Sequence, residues 1–224
     1  MLTEFGVDPR WMAAFEPCMN DYDCGDRALY EWPNNVLSVK TVVYENGVIS
    51  KQGEPVDHAV EPDELALCKR LSDAMHAFVA DVLVGMKSEA DVHWVPYFCA
   101  TSAGSSELDE ASVRALFGGT IMPLDRVVVE PMKEAGSFWD DLCSGEDEAT
   151  LAAWRKLMSF VEAEPELQSG WFVQIGFYEY GETLDFEGEP PAGYEMKGSC
   201  LPRMALALTK AGSVVGVFGH GVWT

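Results

Sequence analysis

"RMALALTKAGSVVGVFG", residues 203–219, is the stretch that decides the fold. Two runs rich in Ala, Gly and Val, 203–209 and 213–219, flank Lys210-Ala211-Gly212, which reads as the turn between paired strands. Small residues on one face of such strands let a helix approach the sheet closely, so both are expected to be central strands. A third strand is expected at 171–179, in the apolar run "GWFVQIGFY" (170–178).

Upstream, "VLSVKTVVYENGVIS" (36–50) reads as a hairpin, with Glu45-Asn46-Gly47 between two β-branched runs. "VHWVPYFCAT" (92–101) reads as a strand, and Pro96 assigns it to an edge or a bulge because proline has no N–H for a ladder. "DRVVVEP" (125–131) is a further short strand.

Two segments carry helical spacing. From Glu61-Pro62, Leu65, Cys68, Leu71, Met75, Phe78, Val79 and Val82 recur at three- and four-residue steps, with Gly85 as the expected stop. In "GEDEATLAAWRKLMSFVEAEP" (145–165), Leu151, Trp154, Leu157, Met158 and Val161 form the stripe, and acids in the first turn suit the helix dipole. A shorter helix is expected in "SSELDEASVRALFGG", with Ser106 and Asp109 as a capping box and Gly118 at its end. Residues 4–16 could form a short amphipathic helix that Pro17 breaks.

With no repeat and no clear linker, residues 1–224 are expected to form a single α+β domain. It would be an antiparallel or mixed β-sheet with two long amphipathic helices packed on it, and an irregular N-terminal segment, 1–35.

The charge is unusual: 15 basic residues against 37 acidic ones give −22. Such a field repels nucleic acid and anionic membrane surfaces and attracts basic proteins or cations, so direct nucleic-acid and membrane binding are not expected. No stretch approaches the roughly 20 apolar residues of a membrane span. The opening "MLTEFGVDPRWM" lacks the pattern of a signal peptide, and six dispersed cysteines suit a reducing, cytoplasmic setting.

Catalytic and metal motifs are weak. Asp21, Asp23 and Asp26 resemble a calcium loop, but glycine falls at position five and Trp32 at position twelve, so the EF-hand register fails. Cys24 with His220 as base lacks any sequence link, and no zinc spacing is present. Glu179 and Glu182 beside Tyr178 and Tyr180 could be cast as a glycosidase pair, yet a Gly- and Pro-containing loop leaves carboxylates exposed with ordinary acidity. No cofactor, metal or catalytic residue is assigned.

What remains is the acid itself, in three concentrations. Residues 16–31 hold five acids against one arginine, 140–148 hold five acids and no base, and 179–195 hold six and no base. Asp21, Asp23, Asp26, Asp140, Asp141, Glu146, Asp147, Glu148, Glu182, Asp185 and Glu187 are the candidate contact residues. Tyr22, Tyr30, Trp139, Phe186 and Tyr194 supply aromatics set in a charged rim. The expectation is a non-catalytic binding or inhibitor-type protein, immunity-like or nucleic-acid-mimic-like by charge alone, recognising a basic partner. The alternative is a small-ligand binder or hydrolase with a pocket lined by carboxylates and by Trp94, Tyr97, Trp171 and Tyr178. Homodimerisation through a sheet edge at 37–50 or 91–100 is the third reading.

Overall fold

A computed structural model describes residues 30–31, 41–43, 49–51, 61–86, 88, 91–100, 106–116, 127–175 and 199–223. Within these, the strands form two antiparallel sheets. The smaller joins β1 (Tyr30–Glu31), β2 (Thr41–Val43) and β3 (Ile49–Lys51), with Val42 opposite Ser50. The strands of the 36–50 hairpin are thus paired, whereas its turn lies outside the described residues. Tyr30–Glu31 is a strand within the segment expected to be irregular.

The larger sheet has the order β4-β8-β7-β6-β5 and contains β4 (Val95–Cys99), β5 (Val127–Pro131), β6 (Leu167–Ile175), β7 (Ser199–Thr209) and β8 (Val214–Trp223). The residues of 203–219 lie inside it, where β7 pairs β8 from Ser199↔Trp223 to Leu208↔Val214 and β6 borders β7 on the other side. β4, carrying Pro96, is an edge strand paired only with β8. The chain is therefore α+β, built on an antiparallel five-stranded sheet.

Alternation along β7 divides the core. Ala205 and Ala207 face one side with Phe172, Val215 and Val217, and the helices α1 (Pro62–Val79) and α4 (Glu148–Ala163) pack there. Met204, Leu206 and Leu208 face the other with Val173, Ile175 and Phe218, together with Leu108 and Val113 of the segment containing α2 (Glu110–Leu116). Small side chains on the first side let α4 come close. At Gly170 on β6 a Cβ would stand 3.0 Å from the Val161 Cγ1 and 2.8 Å from the Met132 Cε, so a larger residue would require those side chains to shift.

α1 buries Cys68, Leu71, Ser72, Met75 and Val79, and α4 buries Leu151, Trp154, Leu157, Met158 and Val161. Three details depart from the sequence reading. α1 ends at Val79, six residues before Gly85, and Leu65 in its first turn is 44% exposed. The chain turns at Gly85 and Met86 with φ of 60° and 53°. Asp109, rather than Ser106, caps α2: its Oδ1 accepts from the Ser112 N–H at 2.7 Å and the Ser112 hydroxyl at 2.6 Å. Most consequentially, the acidic stretch 140–148 includes part of a helix that the sequence reading did not foresee. It spans the end of α3 (Ser137–Gly145) and the start of α4, because Phe138, Trp139 and Leu142 give α3 a buried face.

Among the described residues no helix is long and apolar enough to cross a membrane.

Candidate functional site: the acidic α3–α4 corner

Five of the eleven candidate carboxylates, Asp140, Asp141, Glu146, Asp147 and Glu148, meet at this corner. Asp21, Asp23, Asp26, Glu182, Asp185 and Glu187 lie outside the described residues, as do Tyr22, Phe186, Tyr194 and the side chain of Tyr30. Between residues 130 and 148 there are seven acids and one base, Lys133.

Aromatic packing fixes the corner to the sheet. Phe138 of α3 stacks on Phe172 of β6 with ring centroids 4.6 Å apart, and Trp154 of α4 meets Trp94 edge-on at 5.1 Å. Each such pair contributes roughly 0.5–1.5 kcal/mol beyond its buried area.

Carboxylates then tie the segments together. α3 has no cap in its own sequence, since its N-cap is Gly136. Glu130, from β5, serves instead. Its Oε1 accepts from the Ser137 hydroxyl at 2.7 Å and the Phe138 N–H at 3.0 Å, and its Oε2 accepts from the Ser137 N–H at 3.0 Å. These bonds satisfy two of the unpaired amides of the first helical turn. At the other end of α3, Glu146 accepts from the buried Met86 N–H at 3.2 Å, binding the corner to the turn after α1.

Asp147 is the N-cap of α4, accepting from the Thr150 N–H at 2.8 Å. That bond favours the ionised carboxylate and holds Asp147 below the usual carboxylate range. Arg155, about two turns further on, donates from Nε to Glu134 at 3.1 Å and from its Nη1 to Glu148 at 2.8 Å. Its guanidinium lies 5.3 Å from the Trp139 ring centroid. Trp139 is only 7% exposed, so it is a packed residue beneath Arg155 and not the open rim aromatic expected from the sequence.

These structural roles do not quench the charge. Most of the acids remain in contact with water. The Glu148 side chain is 80% exposed even while bonded to Arg155, and Asp140 and Asp147 are exposed. Arg155 bridges two of the corner's acids, Glu134 and Glu148.

The acids at the opposite end of the helices are mixed with bases. Arg70 of α1 lies 3.9 Å from Glu164, just past the end of α4, Lys69 is 3.2 Å from Asp73, and Lys210 is 3.9 Å from Glu166. Acid is therefore present at both ends of the α1–α4 pair, and along the chain it is densest at the α3–α4 corner, with seven acids and one lysine over residues 130–148.

The aromatics of the alternative reading do not share a wall. Trp94 belongs to the core on the α1–α4 side and Tyr97 to the core on the opposite side, with Trp171 packed against the latter; Tyr178 lies outside the described residues. His220 lies within β8, opposite Pro202, where burial pushes it down from the ordinary 6.5 to about 4. Cys24, its suggested nucleophile, is outside the described residues. Cys68, at the foot of α1, is buried and pushed up to about 12, chiefly by desolvation, so its thiol stays protonated and unreactive at neutral pH. Among the described residues no group of three or more His, Cys, Asp or Glu side chains is placed to hold a metal ion.

Two polar features escaped the sequence reading. Glu130 looked like an ordinary strand-end acid, and its capping role depends on the β5–α3 connection folding back. Arg203, the lone cation in "RMALALT", is fully buried beside Gln174. The β6–β7 ladder ends at that pair, and the next residue, Pro202, has no N–H to offer. The Arg203 guanidinium donates to the carbonyls of Ile175 at 3.0 Å and Pro202 at 2.8 Å.

No protein-family model matches this chain, and no curated protein matches it.

Proposed function

We propose that the protein is a non-catalytic binding protein of inhibitor type that recognises a basic protein partner, with the α3–α4 corner as part of the recognising surface. The observation that carries this reading is the density of carboxylate there: seven acids against one lysine over residues 130–148, of which Glu134, Asp140, Asp147 and Glu148 are exposed. In this reading α1 and α4 act as two long amphipathic helices that mount the corner rigidly on the sheet. A fixed cluster of like charge loses little side-chain entropy when a partner docks. It also accelerates encounter with a protein of opposite sign, at a rate that falls as salt rises. Charge of this sign disfavours direct contact with nucleic acid or an anionic membrane.

The test is capture from a lysate by the immobilised chain, followed by elution with a salt gradient and identification of what is released. The reading predicts a basic protein retained at low ionic strength, released by salt, and lost from a D140K/D141K variant that folds normally by circular dichroism. Retention unchanged by the substitutions would overturn it.

A further inference from the structure

We draw no further inference here: the strongest candidate, the buried Arg203 beside Gln174 at the end of the β6–β7 ladder, directs its described hydrogen bonds to the main-chain carbonyls of Ile175 and Pro202 within the sheet itself, and no second observation there points to a ligand.

Discussion

Single carboxylates in this protein do structural work that their exposure conceals. Glu146 sits among the candidate contact residues, yet it accepts from the N–H of Met86, a residue 60 positions away and 1% exposed. Replacing Glu146 with alanine leaves that amide buried without its acceptor, at a cost of about 1–3 kcal/mol. Glu146→Gln keeps an acceptor oxygen and should cost clearly less. Urea denaturation of the two variants checks this, and equal stability for both would refute the contact. His220 gives a second test, with its sign fixed by burial. Its folded value is about 4 against an ordinary 6.5. The unfolded chain therefore takes up this proton below about pH 6.5, and the folded chain only near pH 4. The stability it contributes is complete above 6.5 and is lost as pH falls through that window, with a slope of up to about 1.4 kcal/mol per pH unit. Between pH 6.5 and 5 the stability of His220→Gln should fall less steeply than that of the natural protein. Identical slopes would show that the ring is not held neutral by its surroundings.

At the scale of elements, legibility followed how local the cause was. The α4 stripe of Leu151, Trp154, Leu157, Met158 and Val161 could be read because helical spacing alone sends all five to one side, and all five are buried. The Ala-rich face of β7 could be read for a similar reason, since strand alternation needs no partner to be seen. α3 could not. It is nine residues long, its acids suggest a loop, and its cap comes from Glu130 on a different strand. The end of α1 was misplaced because Val82 continues the apolar spacing after the helix has stopped at Val79, and it is buried from the turn that follows. The same reasoning left the site half legible: clustering of acid shows along the chain, whereas which acids are caps depends on tertiary neighbours. The contrast between the faces of β7 is itself testable. Ala205→Leu forces bulk between the sheet and α1 and should destabilise by about 1–3 kcal/mol through overpacking. Leu206→Ala, one residue on and facing the other core, should cost about 2–5 kcal/mol by opening a cavity. Thermal or denaturant unfolding of the pair checks both, and a stable Ala205→Leu protein would mean that the helix side is loosely packed.

For the whole molecule, the question is whether binding follows net charge or the place where charge is gathered. With −22 spread over 224 residues, a general attraction to basic proteins would arise from the total alone, and salt would weaken it at any site within a Debye length of about 10 Å. A directed surface behaves differently, because reversing charge at one location matters more than reversing it elsewhere. The protein supplies its own control. Asp63 and Asp73, both exposed on α1, lie towards the end where acids mix with Lys69, Arg70 and Lys210, while Asp140 and Asp141 belong to the α3–α4 corner. The most direct measurement is the dissociation constant of the captured basic partner for D140K/D141K and for D63K/D73K, two variants with the same change in net charge, at one fixed ionic strength. A directed corner predicts that the first variant loses affinity by at least tenfold, about 1.4 kcal/mol, while the second stays close to the natural protein. Equal losses for the two would contradict it.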